Sequence, residues 1–152
     1  MKKKLIWLAM VVMAVSGNAH GQKMVERADI LLASGWQQIY DAYVPDAEAI
    51  QKLKPALPGL KAAVYFGSWC DDSKNNVPLF LKIIDTLNEP EFRVDFFSVE
   101  KKAADGQKYY QESLLIEKVP TFVFFIGDIE IGRIIENPKV GLLEDVMDIV
   151  FR

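Results

Sequence analysis

Two side chains limit the polar chemistry open to this 152-residue chain: one cysteine, Cys70, and one histidine, His20. Cys70 stands in Trp69-Cys70-Asp71-Asp72-Ser73-Lys74, between the apolar run Ala62 to Phe66 and a segment with apolar residues at helical spacing. That is a handover from a buried strand to a helix. A helix N-terminus presents unpaired N–H groups and about half a positive charge. A thiol placed there gives up its proton more readily, because the thiolate is the stabilised form. Ser73, three residues on, lies within reach to donate a hydrogen bond to the sulfur. Asp71 and Asp72 suit a helix start but repel a neighbouring thiolate, each by ~0.3–1 kcal/mol. They fit plain helix-start acids as well as they fit tuning groups. The placement favours an exposed, nucleophilic thiol over a small buried hydrophobe.

The rest of the composition narrows the chemistry by exclusion. Lys2, Lys3 and Lys4 precede an eleven-residue apolar stretch, Leu5 to Val15. Ser16 to Gly21 then supplies small residues, with Ala19 and Gly21 at the positions a signal peptidase reads before Gln22. Residues 1–21 are therefore expected to be a cleaved signal peptide. A spanning helix needs about 20 apolar residues, so no stable membrane insertion is expected. Cleavage would remove His20, leaving one thiol and no histidine. Ser-His-Asp and Cys-His catalysis, zinc sites of Cys and His, and an internal disulfide are then excluded. No carboxylate cluster has metal-loop spacing, so no metal and no cofactor are expected. Cleavage also takes three lysines and no acid, moving the formal charge from −3 to 15 − 21 = −6. An acidic domain without an arginine-rich tract is a poor binder of nucleic acid.

Positioning Cys70 falls to the elements around it. Residues 22–35 read as a lead-in, with a short helix within Met24 to Ser34 ending at Gly35. Trp36 to Val44 fits either a helix or an edge strand. Asp46 is the expected N-cap of a helix carrying Ala49, Ile50 and Leu53, stopped by Pro55 and Pro58-Gly59. Ala62 to Phe66 has the continuous apolar character of a strand buried on both faces. Asp71 to Leu87 is the helix, with Val77, Phe80, Ile83, Ile84 and Leu87 on one side. A strand over Arg93 to Val99 and a helix over Asp105 to Lys118 come next. Thr121 to Ile126 and Ile129 to Ile135 form a hairpin about Gly127-Asp128. A last helix presents Leu142, Leu143, Val146, Met147, Ile149 and Val150. The 51% apolar and 26% charged composition suits one folded domain. The expected object is α/β, a mixed sheet with helices on both faces.

Here the sequence resembles the thioredoxin superfamily. The strand–Trp-Cys-x-x-Ser/Cys–Lys signature is present at residues 69–74, Pro78 stands eight residues after Cys70, and Val119-Pro120-Thr121 matches the family's cis-proline motif. The resemblance covers residues 36 to 151. It implies a thioredoxin-like fold, a mixed four- to five-stranded sheet flanked by helices, with Trp36 to Val44 in the first-strand slot of a domain over 36–152. It implies a catalytic pair, Cys70 and Ser73, and a substrate-binding set, Trp69, Val119, Pro120 and Thr121. Trp69 is equally a plain core residue. Three departures matter: Ser73 replaces the second cysteine, Val64 stands where the family has a buried acid, and Glu136 occupies a position that is often glycine in the substrate groove.

The expectation is an exported, periplasmic or extracellular monothiol protein. Cys70 would form mixed disulfides with protein thiols, protein disulfides or a small thiol such as glutathione. With Ser73 in place of a resolving thiol, release requires a second molecule. The alternative is a non-catalytic binding module of the cell envelope on the same frame. Tyr109-Tyr110 fit core or strand-face residues, and Lys101-Lys102 fit a solvated surface.

Overall fold

The computed structural model describes residues 22–33, 35–102 and 107–152. The expected signal peptide, with His20, and the expected start of a helix at Asp105 lie outside the described residues. The elements run β1 (Gln22–Val25), α1 (Arg27–Ile30), α2 (Trp36–Ala42), α3 (Ala47–Leu53), β2 (Leu60–Phe66), α4 (Asp71–Leu87), β3 (Arg93–Val99), β4 (Thr121–Ile126), β5 (Ile129–Ile135) and α5 (Leu142–Val150).

One five-stranded mixed sheet carries the fold, in the order β1-β3-β2-β4-β5. Only β2 and β3 are parallel, with α4 as their crossover. β4 runs antiparallel to β2, setting Thr121 opposite Tyr65, and β5 returns antiparallel to β4 with Ile135 opposite Thr121. β2 is thus central and its alternate residues face two cores. Ala62, Val64 and Phe66 join the larger cluster, and Ala63 and Tyr65 meet the smaller one.

The larger core explains α4. Its Val77, Phe80, Leu81, Ile83, Ile84 and Leu87 are all buried, each contributing roughly 1.5–3 kcal/mol of transfer free energy. Phe80 meets Phe122 and Phe124 edge-on, with ring centres 5.1 and 6.0 Å apart. Pro78 sits inside the helix and is buried; it lacks the N–H that would bond the Lys74 carbonyl. Asp46 caps α3 as its position predicts, its side chain accepting from the Ala49 N–H at 2.8 Å.

Three expectations are corrected. Trp36–Ala42 is a helix, not the first strand. Trp36 is 1% exposed and packs against Phe66 at 5.6 Å, so burial on α4's side of the sheet decides a segment that local propensity leaves open. The edge strand comes from the lead-in instead, with Gln22 opposite Val99 and Val25 opposite Phe96. Finally, residues 107–118 are not helical. The Tyr110 N–H bonds the Ile116 carbonyl at 2.6 Å and the Ile116 N–H bonds the Gln111 carbonyl at 2.8 Å, closing a loop around Leu115, whose φ is +52°. The Gln111 side chain accepts from both the Ser113 N–H and its hydroxyl, a local bond that competes with helical pairing. The buried residues of the helices all belong to the larger core, so among the described residues helices flank one face. On the other, Ile116, Leu114 and Tyr110 of this loop pack on Tyr65, Val99, Val119 and Val123.

Candidate functional site

Cys70 is the N-cap of α4, with extended backbone (φ −100°, ψ 124°). Its N–H bonds the Gly67 carbonyl at 3.0 Å, and its carbonyl accepts the Lys74 N–H at 3.0 Å, the first bond of the helix. The chain from β2 thus turns tightly through Gly67-Ser68-Trp69 and delivers the thiol to the head of a 17-residue helix. The thiol is half-buried. Its S–H donates to the Val119 carbonyl at 3.2 Å. The structure therefore brings Cys70 together with the Val119-Pro120 corner, 49 residues away in sequence. The Val119–Pro120 peptide is cis. Val119, Pro120 and Thr121 are all buried, and the Thr121 hydroxyl donates to the Lys118 carbonyl at 2.8 Å.

Ser73 takes a different place from the one its spacing suggests. It is 0% exposed, and its hydroxyl oxygen accepts the Gly67 N–H at 3.2 Å. No hydrogen bond joins it to the Cys70 sulfur among the described residues. Ser73 holds the turn that presents the thiol. A hydroxyl here satisfies a buried N–H that would otherwise cost about 1–3 kcal/mol.

Trp69 is 41% exposed. Its indole folds back over Gly67 and donates from Nε1 to the Val99 carbonyl at 3.0 Å. A Cβ on Gly67 would stand 2.6 Å from the indole ring, so only glycine lets the ring lie there. The opposite edge of Trp69 meets Tyr110, with ring centres 6.2 Å apart. Trp69 is a fixed apolar platform beside the thiol.

Two residues read from the sequence as core or solvated surface belong to this site. Tyr110 packs on the same small cluster as Cys70. Its phenol is held above the ordinary tyrosine value, first by burial and second by the charge of Cys70, while the Lys102 backbone acts in the opposite sense. The Lys102 ammonium sits 4.4 Å from the centre of the Tyr110 ring. It is tied down by the Lys108 carbonyl at 2.6 Å and by the Glu117 carbonyl. Neither residue has a spacing signal, because the loop bonds that place them are not periodic.

A polar seam borders the site on its other side. Asn76 of α4, 5% exposed, donates from Nδ2 to the Asp72 carbonyl (3.0 Å), the Glu136 carbonyl (3.2 Å) and Asn137 Oδ1 (3.0 Å). Asn137 returns a bond to the Asp72 carboxylate at 3.0 Å. Glu136 adopts a left-handed backbone (φ +60°), and its N–H donates to the Pro120 carbonyl at 2.7 Å. Its carboxylate pairs with Lys118 at 2.7 Å, raising the Lys118 ammonium above its ordinary value. Beside Thr121 opens a cavity of about 280 Å³ lined by Leu115, Glu117, Lys118, Thr121, Arg133 and Ile135. Leu115 and Ile135 are exposed there. The Arg133 side chain is held by Glu130 and the Leu114 carbonyl. No group of His, Cys, Asp and Glu able to hold a metal ion occurs among the described residues, nor does a helix long and apolar enough to cross a membrane.

A family model described as Thioredoxin matches residues 19–147. A solved structure, the crystal structure of an HIV epitope-scaffold, is similar with a TM-score of 0.48 and 17% identity, over 76% of this chain and 70% of that one. No curated protein matches the chain.

Proposed function

The chain belongs to the thioredoxin family, and from that premise we propose that it exchanges thiols and disulfides through Cys70 alone, in the cell envelope after export. The observation that carries this is the Cys70 thiol at the head of α4, half-buried against the Val119 carbonyl and beside the exposed Trp69. An extended segment of a partner lies along the Val119–Thr121 backbone, with Trp69 as an apolar contact and the cavity at Leu115 and Ile135 receiving a side chain.

Atoms and electrons balance in this exchange. The Cys70 S–H loses its proton to solvent. The thiolate attacks one sulfur of a partner disulfide, a Cys70–partner S–S bond forms, and the other partner sulfur departs as a thiolate that takes up a proton. The buried serine at position 73 supplies no second thiol. A thiolate from glutathione or from a second protein therefore attacks the partner sulfur, and Cys70 leaves as thiolate. The net effect is transfer of a disulfide between two outside partners.

The test is capture of the tagged chain from its native host after rapid acid quench, compared on reducing and non-reducing gels. Complexes that vanish with reductant and with Cys70→Ser support the exchange. Partners retained equally by Cys70→Ser would assign a non-covalent binding module instead.

A further inference from the structure

If Cys70 exchanges thiols, the premise on which the role of its neighbours rests, its thiolate needs a hydrogen-bond donor. The sequence offers Ser73, yet Ser73 is fully buried and engaged with the Gly67 N–H. The sulfur itself donates to Val119. Once ionised it can only accept, so that bond is lost and the sulfur faces a carbonyl oxygen. Something must replace it.

We infer that the Tyr110 phenol is the hydrogen-bond donor to the Cys70 thiolate, a catalytic role on the reacting sulfur itself. Cys70 and Tyr110 pack on one cluster of Tyr65, Val99, Ile116, Val119 and Val123. The ring of Tyr110 is fixed from two sides, by Trp69 at 6.2 Å and by the Lys102 ammonium at 4.4 Å. Its backbone is fixed by the 2.6 Å bond to Ile116. Among the described residues its O–H donates to no acceptor. Burial, and then the Cys70 charge, keep this phenol protonated above the ordinary tyrosine value, so it remains a donor as the thiol ionises. The mutual effect of the two charges also requires them to be close.

The other groups around the sulfur do not fill this role. Asp71 and Asp72, on the sulfur's own helix, are anionic. The Lys102 ammonium is spent on carbonyls and the Tyr110 ring. Lys118, beyond Val119, is paired with Glu136. Tyr110 acts twice in the exchange: it stabilises the attacking thiolate, and it stabilises Cys70 as leaving group when the outside thiol resolves the mixed disulfide.

Tyr110→Phe removes the oxygen and keeps the ring, its contact with Trp69 and the cation above it. The assay is the rate of Cys70 alkylation by iodoacetamide against pH, together with thiolate absorbance near 240 nm. A hydrogen bond to a charged group predicts that both profiles move to higher pH by about one pH unit, roughly tenfold less thiolate below the midpoint. Coincident profiles in Tyr110→Phe and the parent chain would overturn the inference. The absorbance titration reads the thiolate whether or not the chain exchanges disulfides, so failure of the exchange reading leaves this test intact. Should Tyr110→Phe not fold, the parent chain labelled at the tyrosine ring carbons gives the answer by NMR. One tyrosine Cζ resonance inflects at the pH where Cys70 ionises and loses that inflection in Cys70→Ala. Absence of any such inflection would overturn the inference.

Discussion

Gly67→Ala isolates the device that aims Trp69. A Cβ built on Gly67 would stand 2.6 Å from indole Cε2, 2.8 Å from Nε1 and 2.9 Å from Cζ2. Gly67 is not among the residues with positive φ, so alanine meets no backbone penalty and the ring alone must yield. Moving the ring forfeits the Nε1–H bond to Val99, worth about 1 kcal/mol. It also forfeits the contact with Tyr110, worth about 0.5–1.5 kcal/mol. Against this, alanine restricts the unfolded chain and returns about 0.4–1 kcal/mol. The net expectation is a loss of about 1 kcal/mol, or about 2–4 °C in Tm for a chain of this size. Urea denaturation measures the first part. The second is read from the indole N–H resonance of Trp69, which loses its downfield position and its protection from exchange. A variant as stable as the parent, with that resonance unmoved, would refute the placement of Trp69 over Gly67.

Asn76→Ala removes two amide hydrogens shared by the carbonyls of Asp72 and Glu136 and by Asn137 Oδ1. A loss of about 2 kcal/mol in urea denaturation is expected, with the Glu136-Asn137 corner gaining amide exchange. The phenols of Tyr43, Tyr65 and Tyr110 are all raised above their ordinary value, in each case first by burial; the second cause is Glu144 for Tyr43, Asp95 for Tyr65 and Cys70 for Tyr110. Such groups hold their protons more tightly in the folded chain than in the unfolded one. Their contribution is intact below about pH 10 and is lost as pH climbs through the folded values. Denaturation midpoints should therefore be flat to about pH 10 and fall above it, and a midpoint that rises there contradicts the burial of these rings.

Strongly periodic segments were legible. The bounds of α4, β3, β4, β5 and α5 follow from apolar spacing and from the breaks at Asn88, Gly127 and Pro138, since each buries one continuous face. The order strand–Cys70–helix placed the thiol, and Val119-Pro120 was tied to it by family resemblance. What escaped was set by tertiary contact. The strand Gln22–Val25 is four residues long with an exposed middle, and it exists because β3 offers a free edge. Trp36–Ala42 is helical because Trp36 must reach the larger core. Tyr110 and Lys102 reach the site through loop bonds without a period, so their sequence neighbourhood resembles an ordinary surface. Ser73 was placed at the right helical turn but on the wrong side of it, since spacing alone does not reveal that the Gly67 N–H needs an acceptor.

The central claim is that Cys70 is a chemically available nucleophile in the folded chain. Its most direct measurement is alkylation of the native protein by iodoacetamide near neutral pH, with the adducts counted by intact mass. The account predicts one adduct, mapped to Cys70, formed while the fold is intact and absent from Cys70→Ser. A thiol that stays unmodified until denaturant is added would contradict it.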